Sequence, residues 1–202
     1  MKRVLVTYAS MAGSTVEVAA TVAEVLAERG IQADVRPVGE VDSLAGYDGV
    51  VVGGPMIMGW HRAARAFLRR HRREWSHIPL AVFVTAISLT ASADMDAGTV
   101  YVDDRLPKPP ARPGRLSFRE RYARLSSYLR PVYAAAHPAS PASVGVFGGR
   151  LEYGRLKWWA VMFVMLVIQA PAGDRRNWEA IRAWAAGLPE AMGLAALEAV
   201  AA

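Results

Sequence analysis

RVLVTYASMAGST, residues 3–15, decides the fold. Residues 3–8 form a short, nearly all-apolar, β-branched run, as expected of a strand covered on both faces. Small and hydroxyl residues follow, and from 14 to 29 apolar positions such as Val18, Val22, Val25 and Leu26 recur at helical spacing. Gly30 stands where a helix C-cap belongs. The same strand-then-helix rhythm continues, with strands predicted at 31–38, 47–55, 78–87 and 143–151 and helices at 61–75 and 117–136. Residues 154–198 read as helical except at APAGD, and the Pro- and Gly-rich stretch 98–114 reads as loop. Alternating elements with apolar strands predict an α/β three-layer sandwich: a five-stranded parallel sheet in order 2-1-3-4-5 with helices on both faces. One domain, 1–202, is expected, with a loop insertion at about 95–116 and an apolar helix at about 155–170.

Composition narrows the function classes. At 202 residues and 53% apolar content the chain is long enough for an enclosed core, and it has no low-complexity tract. The absence of cysteine excludes disulfides, thiolate metal sites and a cysteine nucleophile. The four histidines (61, 71, 77, 137) are scattered, so no metal site is expected. The start, MKRVLVTYAS, reads as a first strand and not as a signal peptide, which makes a cytoplasmic location the expectation. A net charge of +6 points to anionic partners without choosing among them.

In a sheet of this order the ligand lies beyond the carboxyl ends of the strands, where strand order reverses. Three loops meet there. The first, Ala9 to Thr15, opens a helix N-terminus with Ser10, Ser14 and Thr15 as hydroxyl donors and Gly13 allowing close backbone approach, with Met11 and Ala12 between them. It has neither the GxxxxGK of a nucleoside-triphosphate loop nor the GxGxxG of a dinucleotide site, which leaves a phosphomonoester or an ordinary Ser/Thr helix cap. The second loop, GGPMIMGWHR, offers Pro55, Met56, Ile57, Met58, Gly59, Trp60 and His61. Methionine and tryptophan suit a flat aromatic ligand, although the same side chains can pack against the sheet end. The Gly-Gly-Pro opening and Gly59 favour a ligand loop. The third loop, with Thr85, Ala86, Ile87 and Ser88, has backbone that can bond the polar edge of a heterocycle. A planar ring bearing a phosphate fits all three, and flavin mononucleotide (FMN) has both parts.

TYASMAGST, YDGVVVGGP and the fourth strand with its loop resemble a flavodoxin, whose first loop reads Ser/Thr-x-Thr-Gly-x-Thr. The register here is Ser10, Met11, Ala12, Gly13, Ser14, Thr15, so Ala12 lacks the middle hydroxyl. GGPMIMGWHRAARAFLRRH, IPLAVFVTAISL and GVFGGRLEYGRLKWWAVMFVMLVIQAPAGD are similar to the flavodoxin-like protoporphyrinogen dehydrogenase family. The resemblance covers most of the chain apart from 95–116 and includes the aromatic-basic turn Leu151 to Trp159. It implies a flavodoxin-like fold, FMN as cofactor, a porphyrinogen or other small redox substrate, a quinone acceptor and work at the membrane. The cofactor would supply the redox chemistry, so no catalytic dyad is required and none is assigned. His61 and Arg62 are the polar groups expected near the ring. A soluble electron-carrying flavodoxin and a flavin-free interaction module are the alternatives.

WWAVMFVMLVI, residues 158–168, is eleven apolar residues, too short for the roughly 20 of a membrane span. It has three readings: burial in the core, contact with a second subunit of a homo-oligomer, or insertion at a bilayer surface with Trp158 and Trp159 at the interface. The third would place the protein peripherally on the inner face of the cell membrane. The basic segment 61–75 carries Arg62, Arg65, Arg69 and Arg72 or Arg73 on successive turns. It reads as a solvated face, or as a partner of lipid headgroups or porphyrin carboxylates. Nucleic acid is not an expected partner, because no recognition fold accompanies the charge.

Overall fold

The computed structural model describes residues 1–11, 13–57, 59–91, 99–112, 114–151, 162 and 172–194. The segments 158–168 (apart from Met162) and 195–202 lie outside them, as do Ala12, Met58, Trp158 and Trp159.

Strand β1 (Arg3–Tyr8) begins where the apolar run begins, and helix α1 (Ser14–Glu28) follows. Gly30 then closes α1 as predicted, with φ of 75° and the Ile31 N–H reaching back to the Leu26 carbonyl at 3.0 Å. Strands β2 (Gln32–Pro37), β3 (Gly49–Met56) and β4 (Leu80–Ala86) pair in parallel around β1. Every residue of β3 and β4 is buried, because helices cover both faces. β2 is half exposed, as an edge strand with alternating polarity should be.

The expected five strands are in fact six. The short pairs β5 (Leu89–Thr90) with β7 (Pro107–Lys108) and the strand β6 (Val100–Val102) all fall at or beside the stretch read as loop. β6 pairs in parallel with β8 (Ser143–Gly148), giving the order β2-β1-β3-β4-β8-β6. The 2-1-3-4-5 order therefore stands, with β8 in fifth place and one strand added outside it. Three residues are too few to show a period in sequence. Their strand state comes from the open edge of β8, which β6 covers.

Helices shorter than expected have local causes. α2 (Arg62–Arg70) stops near His71 because the indole Nε1 of Trp75 donates to the Leu68 carbonyl at 2.9 Å, where a further helical N–H would have gone. A 3-10 turn at Glu74–Ser76 follows. The single helix expected over 117–136 is two, α3 (Phe118–Tyr122) and α4 (Leu125–Ala136). The Ala123 carbonyl accepts from the Thr90 N–H at 2.8 Å, and Arg124 is extended, so the helix breaks there. Among the described residues that follow β8, β9 (Arg150–Leu151) pairs antiparallel to β10 (Gly173–Asp174), and α5 (Trp178–Ala186) and α6 (Leu188–Ala191) come after.

The two faces have separate cores. α2 and α4 pack on Leu5, Val52, Val84 and Val146, while α1 and α5 pack on Val6, Val51, Phe83 and Phe147. Gly53 exists for this packing, which corrects its reading as a ligand-loop glycine. Its β4 neighbour Phe83 lies across it, and a Cβ at 53 would stand 2.0 Å from the ring. Likewise a Cβ at Gly54 would stand 2.9 Å from the Trp60 indole nitrogen.

Gly53→Ala should therefore destabilise the protein by about 1–3 kcal/mol through overpacking, read as a lower urea midpoint. A second expectation concerns α3. Glu120 accepts from the Ala111 and Ser117 N–H groups, both at 2.6 Å, in a capping box with Ser117. These bonds, that from Ala111 foremost, hold its pKa down at about 2 against an ordinary 4.5. Because the folded pKa is depressed, the cap is fully present above the ordinary value and is lost as pH falls through about 2. The Ala111 and Ser117 amide proton shifts should titrate with that low midpoint. A midpoint at the ordinary value would show the cap is not formed.

Candidate functional site

Beyond the carboxyl ends of β1, β3, β4 and β8 lies a narrow cleft with a cavity volume of about 30 Å³, well below that of a fully opened small-molecule site. Met11, Ser14 and Thr15 line it from the first loop, Pro55, Met56 and Ile57 from the second, and Thr85, Ala86 and Ile87 from the third. Nine residues singled out in the sequence are thus brought to one place. Gly149, Arg150 and Leu151 complete the wall. They were read only as the end of the fifth strand and the start of the turn after it.

The first loop is shaped for an anion. Gly13 is the N-cap of α1 with φ of 91°, a left-handed conformation that favours glycine, and it brings no side chain to cap the helix. Ser10 is turned inward to accept the Gly13 N–H at 2.9 Å. Uncapped first-turn N–H groups and the helix dipole are left to a negative ligand. Thr15 and Thr85 place their hydroxyl oxygens 3.4 Å apart, which ties loop one to loop three at the cleft floor. Glu17, in the first turn, would repel an anion. However, Arg150 and Arg176 pair with its two oxygens at 3.2 and 2.8 Å. Asp174 and then Glu17 raise the Arg176 pKa further.

In the second loop the structure divides the expected residues. Trp60 is 1% exposed, lies in the core under α2 and donates from Nε1 to the Gly54 carbonyl at 3.2 Å. Of the two readings of Trp60, a stacking surface or packing against the sheet end, the structure shows the second. His61 is the N-cap of α2, its Nδ1 accepting from the Ala63 N–H at 3.3 Å. Burial, with a smaller contribution from Arg65, holds the imidazole below the usual histidine range, as an acceptor requires. Arg62 is exposed on the first turn of α2.

Two tyrosines that the sequence did not single out brace the loops. Tyr122, at the end of α3, accepts from the Gly59 N–H and donates to the Ile57 carbonyl at 3.4 Å. Tyr128, in α4, donates to the Ser88 carbonyl at 2.7 Å, and burial raises its pKa strongly. The two rings meet edge to face with centroids 6.3 Å apart. Nothing in the local pattern marks either one. Tyr128 reads as one more apolar position of a helix, and Tyr122 as its surface.

The helix N-terminus and hydroxyls of loop one are donors of the kind that hold an anion such as a phosphomonoester. Residues 5–177 match the flavodoxin domain family, and the chain belongs to it. Membership implies FMN as the cofactor. A curated relative, protoporphyrinogen IX dehydrogenase (quinone) of Escherichia coli strain K12, is 26% identical over 175 residues, covering 85% of this chain and 82% of that one. Among solved structures, the two-electron reduced flavodoxin of Megasphaera elsdenii aligns with a TM-score of 0.48 and 10% identity over 91% of this chain and 98% of that one. The rubredoxin oxygen:oxidoreductase of Desulfovibrio gigas aligns with a TM-score of 0.48 and 13% identity, over 96% of this chain but 36% of its own. The assignment rests on the family match and the observed sheet order.

Tyr122→Phe keeps the ring and removes both bonds to loop two. It should weaken FMN binding by about 1 kcal/mol, roughly fivefold, in a flavin-fluorescence titration, with the thermal midpoint little changed. An unchanged affinity would show that the brace does not shape the site.

Proposed function

We propose that this protein is an FMN-dependent oxidoreductase that takes electrons from a porphyrinogen-type substrate and passes them to a quinone. The observation that carries it is the likeness to the Escherichia coli enzyme along 85% of this chain, which spans far more than the cleft loops. FMN, when bound, would supply the redox chemistry.

The chain's own residues bind and orient it. Ser14 and Thr15, with the uncapped N-terminus of α1, hold the phosphate, while Ser10 fixes the turn they stand on. Arg150 and Arg176 neutralise Glu17, so that the anion meets no net opposing charge there. Pro55 to Ile57 and Thr85 to Ile87 flank the ring, and Met11 and Leu151 close the apolar wall. Met58 and Ala12 belong to the same loops. Gly59 and Ser88 contribute through backbone groups that Tyr122 and Tyr128 fix in position. His61 acts indirectly, by capping α2 behind loop two. Among the described residues no helix is long and apolar enough to cross a membrane. A lipid-soluble substrate and acceptor would be met at a bilayer surface.

Anaerobic stopped-flow mixing of the FMN-loaded protein with protoporphyrinogen IX should bleach the flavin absorbance, and a menaquinone analogue should restore it. If neither half-reaction runs while FMN binds, the substrate assignment is wrong. A protein that ignores added FMN would refute the flavin chemistry as well.

A further inference from the structure

Loop one and α1 carry no basic residue: between Arg3 and Arg29 the sequence has no Lys, Arg or His. A phosphate at that helix N-terminus meets hydroxyls and amides, with the acid Glu17 in the same turn. The cations come from far along the chain, where β9 and the residue pair after β10 bring Arg150 and Arg176 to Glu17.

The two arginines are placed differently. Arg176 is fully engaged, with its side chain 3% exposed. Its Nε and Nη2 donate to the two oxygens of Asp174, its Nη1 donates to Glu17 at 2.8 Å, and its guanidinium lies over the Trp178 ring. Arg150 instead lines the cleft together with Ser14 and Thr15, its Nη2 3.2 Å from Glu17 Oε1. Ser14 and Glu17 are three residues apart and so share one face of α1, with about 5 Å between their Cβ atoms. The backbone under Arg150 is fixed. The Gly149 N–H donates to the Ala86 carbonyl at 2.7 Å, and the Gly149 carbonyl accepts from the Arg175 N–H at 3.1 Å.

We infer that Arg150 is a ligand of the FMN phosphate and sets the preference of this site for the phosphorylated flavin over riboflavin. Because Arg176 keeps Glu17 paired, the Arg150 guanidinium can turn from that carboxylate to the phosphate without leaving Glu17 uncompensated. The exchange favours the phosphate, which offers more charge and more acceptor oxygens to the planar guanidinium fork than a half-exposed carboxylate does. This role goes beyond offsetting Glu17, which requires no contact with the ligand. It rests on FMN as the cofactor and not on the porphyrinogen or quinone partners.

Flavin-fluorescence titrations of the full-length protein with FMN and, separately, with riboflavin test it. Arg150→Gln should weaken FMN binding about 20-fold and leave riboflavin binding within about twofold of the wild type. Arg150→Lys, which keeps the charge but not the fork, should recover part of the loss. In a Glu17→Gln background, Arg150→Gln should still cost several-fold, because the contact it removes is with the ligand. A thermal melt confirms that each variant is folded. Unchanged FMN affinity leaves Arg150 without a role, equal losses for FMN and riboflavin make it a wall of the cleft, and a loss abolished by Glu17→Gln makes it a counter-charge. Each of these results overturns the inference. Binding is read without turnover, so inactivity toward protoporphyrinogen IX leaves the inference standing, and its failure leaves the redox assignment standing.

Discussion

A parallel sheet covered on both faces has almost nowhere to be polar except at its strand ends. β3 and β4 have no exposed residue, and the layers close tightly enough that Phe83 lies flat across Gly53 in the next strand. Polar backbone and hydroxyl groups are thereby driven to the loops. Parallel pairing puts the carboxyl ends of β1, β3, β4 and β8 side by side, so four loops distant in sequence share one cleft. Cleft, anion cradle and apolar walls all follow from that constraint.

The two halves of the chain contribute differently to this cleft. Residues up to 88 supply most of its lining, whereas later residues mostly set its shape and charge. Tyr122 and Tyr128 hold loops two and three by their backbone groups, which fixes loop geometry whatever side chains those loops carry. Arg150 and Arg176 engage Glu17, an acid that favours the α1 dipole but would oppose a bound phosphate. Local helix stability and ligand binding make opposite demands at that position, and the paired arginines reconcile them.

Charge is distributed as unevenly as polarity. The exposed surface of α2 and α3 is arginine-rich, while on the opposite face Arg182 is matched by Glu24 and Glu28 at 3.0 and 2.6 Å.

The sequence by itself determined the core of the fold. A strand buried on both faces must be continuously apolar, and helices lying on it must repeat at their own period, so β1, α1, β3, β4 and β8 were legible to within a few residues. It also located nine cleft residues, because the loops that leave the carboxyl ends of neighbouring parallel strands must meet in one place. Only the tertiary structure decided the rest. β6 is a strand because β8 offers it an edge. α2 ends where Trp75 takes a carbonyl, and the helix over 117–136 breaks where Thr90 takes another. Composition left Trp60 between a ligand surface and the sheet end, because it cannot show which way a ring points, and packing put it in the core. Tyr122, Tyr128 and Arg150 were missed for the same reason: their partners lie 63, 40 and more than a hundred residues away, and no local pattern encodes such a contact.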